Sequence, residues 1–273
     1  MSVGILNRYG LSFGNVVGDG TASNNITVGR TLETVSLKLG GTTFTKAMIE
    51  QVRFKANGKT ILDATGEQLQ AINAYRGDPE DAAYLDIQFS DFTGQTEFDK
   101  QVGAFDTTVG IGNITTEVKI AGATAPQLTA LLRESARSRP SEAAYAGMMC
   151  KLLSYPFNIS VGGRLPVSFP FGPSLGAIIK RVHVFHSGNM TGATVKQDGM
   201  PIHEKTLAEN EREQDRFGRV PQANVYTLDF VLDGSIGKAL NTRDAKSLEW
   251  LFDFSAADNG TILVEYLDVL GNL

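Results

Sequence analysis

The chain has one cysteine, Cys150, three histidines and one tryptophan in 273 residues. A single cysteine excludes an intrachain disulfide and any cysteine-built metal centre. No run approaches the roughly 18 to 20 apolar residues of a helical membrane span. Residues 1–25 carry a single basic side chain, Arg8, and no apolar core of signal-peptide length. An excess of basic residues is also missing. Lys and Arg number 25 against 30 Asp and Glu, a net charge of −5 with a pI near 5.3. That balance argues against sequence-specific nucleic-acid binding, which needs cations to neutralise phosphates. These absences imply synthesis in a cytoplasm and a fold independent of oxidation, so the sequons at Asn25 and Asn158 read as chance.

What is present is ordinary globular material, 42% apolar and 20% charged, with glycine high at 29 residues. Such glycine use fits many short strands joined by tight turns. Thr27 to Leu39 alternates apolar and polar residues at Val35, Leu37 and Leu39, Ile49 to Phe54 reads as a second strand, and Asn57-Gly58 is a strong hairpin signal. A short helix is expected from Thr65 to Arg76 and a strand from Tyr84 to Phe89. Thr107 to Ile120 reads as two strands turning about residues 110–113.

Thr124 to Lys151 has the best helical signal. Thr124 fits an N-cap with Pro126 in the first turn and Gln127 three residues on. Leu128, Leu131, Leu132, Ser135 and Ala136 fall on one face of a helix, with Arg133, Glu134 and Arg137 opposite. Pro140 ends that helix, and Ser141-Glu142 caps a second carrying Tyr145, Met148, Met149 and Leu152 inward. The Arg133 to Arg139 run reads as an exposed face.

The residues beyond echo those before. Ser160 to Phe171 resembles Thr27 to Leu32, and Ile178 to Val184 resembles Ile49 to Phe54. Asp198-Gly199 stands for Asn57-Gly58, and Arg216-Phe217-Gly218 for Tyr75-Arg76-Gly77. Both of these last spacings are 141 residues. Glu204 to Gln214 is again a short polar helix, Tyr226 to Val231 matches Tyr84 to Phe89, and Thr261 to Leu267 matches Ile114 to Ile120. The second copy carries extra residues near His186 to Thr194. Short strands at regular spacing, without strand–helix–strand alternation, imply sandwiches. The expected fold is all-β, with two tandem eight-stranded jelly-roll sandwiches joined by a short helical linker. Its parts are an N-terminal arm (1–25), a first jelly roll (26–123), the linker (124–153) and a second jelly roll (154–273).

Reaction chemistry is hard to find. His183 and His186 lie three apart on an expected strand, hence on opposite faces, and with His203 they read as surface or strand-end residues. The tandem jelly rolls that are enzymes, the bicupins, use a His-x-His pair, which this chain lacks. There is no Gly-x-Ser-x-Gly elbow or P-loop, and Gly110-Ile-Gly112 lacks a third glycine. Cys150 reads as a buried inert thiol. The carboxylates Asp78, Glu80 and Asp81, and Glu209, Glu211, Glu213 and Asp215, read as solvated faces, without the spacing of a calcium loop. No catalytic or cofactor-binding residue is assigned.

The segments Thr108 to Ile111 leading into Thr116 to Ile120, Tyr226 to Gly234 and Ile262 to Val269, in this order and in a chain of this length, resemble the double jelly-roll major capsid proteins. The likeness is to those of membrane-containing icosahedral double-stranded DNA bacteriophages, the corticoviruses and their relatives. It implies a homotrimer of pseudo-sixfold outline tiling a virion shell around a lipid vesicle, with vertex, minor capsid and membrane proteins as partners. Structural Ca²⁺ between subunits occurs in such families, but no motif here names ligands. The other reading is a tandem β-sandwich carbohydrate- or receptor-binding module of a viral spike. Exposed aromatic residues would favour it, and Trp250 is expected on a strand, packed in the core.

Overall fold

The computed structural model describes residues 4–108, 110–135, 145, 147–173, 177–269 and 271–272. The first sandwich contains β1 (Leu6–Tyr9), β2 (Gly20–Ile26), β3 (Thr31–Thr43), β4 (Ile49–Ala56), β5 (Lys59–Ala64), α1 (Gly66–Tyr75), β6 (Tyr84–Gln88), α2 (Glu97–Gln101), β7 (Phe105–Asp106), β8 (Ile114–Ile120) and β9 (Thr124–Ser135). The second contains β10 (Met148–Ile159), β11 (Gly163–Val167), β12 (Ile178–Phe185), β13 (Met190–Gln197), β14 (Met200–Thr206), α3 (Leu207–Arg216), β15 (Val225–Asp229), β16 (Leu240–Asn241), β17 (Leu248–Phe254) and β18 (Asp258–Val269).

Each sandwich is a pair of four-stranded layers. In the first, β1-β9-β3-β6 faces β2-β8-β4-β5; in the second, β10-β18-β12-β15 faces β11-β17-β13-β14. Strand for strand the two orders are identical, which is jelly-roll topology used twice. The inner faces enclose two separate cores. One is built on Val35, Val52, Phe54, Ile87, Phe105 and Val118, the other on Val182, Val195, Tyr226, Trp250, Phe252 and Val264.

The duplication is regular in its middle. β13, β14, α3 and β15 begin 141 residues after β4, β5, α1 and β6, while β17 and β18 begin 134 after β8 and β9. Asn57-Gly58 and Asp198-Gly199 both take positive φ, at 50° and 79° and at 52° and 81°. Those angles belong to the tight turn that matches strand twist, and glycine meets the second one without strain. The matching helices α1 and α3 each open on a capping box, Thr65 with Gln68 and Thr206 with Glu209. Thus the expected hairpins and short helices are present at nearly the expected bounds.

The structure corrects several expectations. Thr124–Ser135 is strand β9, not a helix, and Met148–Leu152 opens strand β10. Leu128, Ala130, Leu132 and Glu134 point inward along β9, a period of two that the helical pattern of leucines obscures. Eleven residue pairings to β3 satisfy its backbone, so tertiary pairing overrides local propensity. Residues 136–144 of the expected linker lie outside the described residues.

The expected arm, residues 1–25, is not free. β1 pairs with β9 and β2 with β8, placing both in the first sandwich, where the short side chains of Ala22 and Asn24 turn inward. The described residues between Asp106 and Ile114 form no strand, so Thr107 to Ile120 supplies one strand rather than two. The sequence echoes are also one strand out of step in places. The topology equates β12 with β3, β13 with β4, β11 with β2 and β18 with β9. Residues 186–189 are therefore the approach to β13 and 190–194 part of that strand, not an insertion.

Candidate functional site: the joint between the two sandwiches

Two features bring the sandwiches together. β5 of the first lies beside β10 of the second, with a parallel pairing of Leu62 to Leu152, so one sheet runs through both domains. The end of α1 and the loop after β6 then reach across the outer face of β15-β12-β18. That face reads as an unbroken buried run along Ile178–Val184, because it has a core on one side and the other domain on the other.

The contact is ionic at its centre. Arg76 donates to Glu265 at 2.7 Å and to Gln88 at 3.1 Å. Arg181 meets Asp229 at 2.9 Å, Asp91 at 2.7 Å and Glu265 at 3.2 Å. Lys180 lies 2.8 Å from Asp91, and Arg219 lies 3.7 Å from Asp229. The Tyr75 hydroxyl donates to Asp229 at 3.1 Å. Arg76, Asp91 and Tyr75 belong to the first sandwich; Lys180, Arg181, Arg219, Asp229 and Glu265 belong to the second. All are buried at their side chains.

Burial opposes charge on Arg76, Asp91 and Glu265, and the pairing overrides it. Burial works to raise Asp91, but Arg181, Lys180 and Arg76 hold it well below the usual carboxylate range. Glu265 is likewise held low by Arg76, Arg181 and His183 against the effect of burial. Arg76 is kept above its ordinary value by Glu265 and Asp91, although burial pulls the other way. Burial and the adjoining Asp229 push the Tyr75 phenol up, so it remains a donor. A network of this kind adds little net stability over an apolar core, but it fixes how two surfaces meet.

Backbone contacts surround the charges. Gln95 N donates to Gly234 O at 3.0 Å, Ile236 N to an Asp99 carboxylate at 3.0 Å, and Cys150 N to Gly103 O at 2.9 Å. Gly234 has φ 79°, and a Cβ there would meet the Thr93 carbonyl at 2.4 Å. An apolar cluster of Val102, Met148, Cys150, Ile178, Val231, Ile236 and Leu267 seals one side.

The residues singled out from the sequence are dispersed rather than gathered into one site. His183 is not a surface residue. It is buried beside Tyr75, bonding Glu265 at 2.9 Å and Thr227 at 3.0 Å, and burial pushes its pKa down despite Glu265. His186 accepts from Gly188 N at 3.0 Å and His203 bonds the Tyr226 hydroxyl at 3.0 Å, so the structure does not bring the three together. Among the described residues no group of three or more His, Cys, Asp or Glu is placed to hold a metal. Cys150 is buried on β10, and burial raises its thiol pKa. Asp78 accepts from Gln88 and Glu80 from Gln70, Asp81 caps Ala83 N at 2.8 Å, Glu209 belongs to the α3 capping box, and Glu213 pairs with Lys205. Trp250 is buried against Phe169 and Phe230, so it offers no platform to a glycan.

Comparison with known proteins decides the family. A model of the viral coat protein P2 N-terminal domain matches residues 8–135, and one of the viral coat protein P2 C-terminal domain matches residues 149–270. The chain belongs to the viral coat protein P2 family. It is a capsid protein of double jelly-roll type, and its family is a structural one. No curated protein sequence matches it. Its fold resembles the major capsid protein P2 of Bacteriophage PM2, at 20% identity and a TM-score of 0.86, covering 97% of each chain. It also resembles a chain in the structure of Sulfolobus Turreted Icosahedral Virus, at 13% identity and a TM-score of 0.69, covering 97% of this coat protein and 91% of that chain. A chain of the PBCV-1 virus capsid follows at 11% identity and 0.64, with 99% and 95% covered. At these identities the likenesses concern fold alone. The boundaries of the two family matches fall at the end of β9 and the start of β10, where the coat protein passes from one sandwich to the other.

Proposed function

We propose that this coat protein is the repeating unit of an icosahedral virion shell, assembled as homotrimers whose six sandwiches give a pseudo-sixfold outline around an internal lipid membrane. The observation that carries this reading is the strand-for-strand identity of the two sandwiches, locked in one relative orientation by the Arg76–Glu265 and Asp91–Arg181 contacts. A rigid pair of near-equivalent blocks lets a threefold assembly occupy a sixfold site while its two halves meet different neighbours. Vertex proteins, minor capsid proteins and membrane proteins of the same virion are the further partners this role requires. Synthesis takes place in the host cytoplasm.

The test is the molar mass of the purified protein by light scattering on a sizing column. A species at three times 29.4 kDa, or a larger closed particle, is expected. A monomer at every concentration would overturn the trimeric unit.

A further inference from the structure

The contact between the two sandwiches has an empty counterpart on the first sandwich. On the second, Arg181 pairs across the sheet with Asp229 and Glu265, and His183 with Thr227 and Leu263. On the first, Thr34 pairs with Gln88 and Arg133, and Ser36 with Asp86 and Leu131. The strands β6 and β15 keep the 141-residue spacing, so Gln88 stands for Asp229 and Asp86 for Thr227. Thr34, Ser36 and Arg133 therefore occupy the positions of Arg181, His183 and Glu265. In the second sandwich that surface is filled by Tyr75 and Arg76. In the first it is, among the described residues, an open groove of about 420 Å³, lined by Thr34, Ser36 and Arg133 with Tyr9, Phe92 and Leu131.

The complementary surface is also open. The residue 141 beyond Arg76 is Phe217, at the end of α3, and it is half exposed, as is Val220 just after it. The sheet edges repeat the pattern. Leu62 and Leu152, which pair within the chain, correspond to His203 on β14 and Asn7 on β1. Both of those strands end their sheets without a neighbour among the described residues. They also carry exposed apolar residues, Met200 and Ile202 on one and Leu6 and Tyr9 on the other. An unprotected edge of that composition is a template for another strand. The groove itself adds a further sign: the Thr34 hydroxyl is buried there and has no hydrogen-bond partner among the described residues.

We propose that the groove over Thr34, Ser36 and Arg133 receives the Phe217–Val220 segment of a second copy of this chain, with β14 of that copy laid parallel to β1 and His203 opposite Asn7. The contact between chains then repeats the contact within the chain, with a change of chemistry. Where Arg76 meets Glu265 inside one molecule, the Phe217 ring meets the Arg133 guanidinium and Phe92 between molecules. Arg133 already lies over the Phe92 ring at 5.4 Å, so a second ring extends an existing stack. The contact is heterologous, groove to protrusion, and closes into a ring only if the turn per copy permits. The polar joint fixes the two sandwiches permanently, and the more apolar one joins separate molecules.

The proposal rests on the trimeric reading above, and the experiment separates the two. Wild-type protein, Phe217→Lys and a surface control, Val161→Lys, are compared by light scattering across a dilution series. A double variant, Asn7→Cys with His203→Cys, is oxidised and run on a non-reducing gel. Parallel neighbours bring the two Cα atoms within disulfide reach, and Cys150 is buried and does not compete. Phe217→Lys sets a second cation against Arg133 and is expected to weaken association about tenfold or more, as loss of a central aromatic anchor does. Val161→Lys is expected to leave association unchanged. The double-cysteine protein is expected to form covalent dimers and trimers, reversed by reductant. A wild-type trimer that tolerates Phe217→Lys and does not cross-link would overturn this surface while leaving the trimer standing. A wild-type monomer would overturn both.

Discussion

The Arg76 guanidinium, at the end of the longer helix of the first sandwich, lies 2.7 Å from the Glu265 carboxylate in the central strand of the second sandwich. Neither group has bulk water to fall back on. Removing one partner leaves the other charged and buried, at a cost of about 3–5 kcal/mol. Arg76→Ala is therefore expected to lower the urea midpoint markedly. Arg76→Met with Glu265→Gln, which removes both charges and keeps most of the volume, is expected to recover a large part of the loss. Equal losses in the single and double variants would show that packing, not charge, holds the joint.

Acid acts on the fold in two windows, the lower of them at this joint. Asp91 and Glu265 have folded pKa values held well below those of the unfolded chain. Their contribution is complete above the unfolded carboxylate value of about 4 and is lost as pH falls through the lower folded values. The histidines act earlier. Burial, with nearby Lys205, lowers His203 to about 4 from 6.5, and burial lowers His183 and His186 as well. The unfolded chain then takes up protons first, so stability falls as pH drops from 6.5 towards 4. Thermal midpoints should be level from about pH 8 to 7, decline below about 6.5, and drop more steeply below about 4. His203→Gln should flatten the upper window in part. A level profile from about pH 7 to 4 would contradict these assignments.

The turn at Asp198 ties its hairpin to a neighbouring segment, as the matching turn at Asn57 does through Gly110, Gly112 and Asn113. The Asp198 carboxylate accepts from Lys246 N at 2.8 Å and Ser247 N at 2.9 Å, tying the β13–β14 hairpin to the approach to β17. Asp198→Ala loses both bonds and places alanine at a φ of 52°. The expected loss is about 1–3 kcal/mol, read from chemical denaturation. Asp198→Asn keeps one acceptor oxygen and tolerates the same backbone, so its loss should be smaller. If alanine and asparagine cost the same, the carboxylate is not what ties the loop.

Local chemistry makes these turns readable from the sequence. Asn57-Gly58 and Asp198-Gly199 demand a left-handed backbone wherever they fall, and Thr65 with Gln68 and Thr206 with Glu209 cap a helix within four residues. Their meaning survives without knowledge of neighbours. β9 is the reverse case. Leu128, Leu131 and Leu132 suit a helix taken alone, and only pairing with β3 selects the strand in which Leu131 faces out and Ala130 faces in. The joint is invisible in the sequence for a related reason. Arg76 and Glu265 lie 189 residues apart, and each looks like an ordinary surface charge. The one local signal is Lys180-Arg181 inside the apolar run Ile178–Val184. A strand buried on both faces has no cause to hold two cations unless carboxylates wait for them.

Trp250 supplies the means to watch one sandwich alone. It is the chain's only tryptophan, buried in the core of the second sandwich against Phe169 and Phe230. Its fluorescence therefore follows that domain, while far-ultraviolet circular dichroism follows both. The joint spans the continuous sheet through Leu62 and Leu152 and the contacts of Asp91 with Lys180 and Arg181. Coupling of that extent makes the two sandwiches unfold as one unit, so the two signals should give coincident urea transitions in the native sequence. Asp91→Ala leaves the buried Lys180 without its carboxylate, removes one of the three partners of Arg181, and weakens the coupling from the first sandwich's side. In that variant the transitions should separate, with the circular dichroism trace becoming biphasic and the Trp250 trace remaining single. Separate transitions already present in the unaltered protein would mean that the ionic contacts position the domains without making them cooperative.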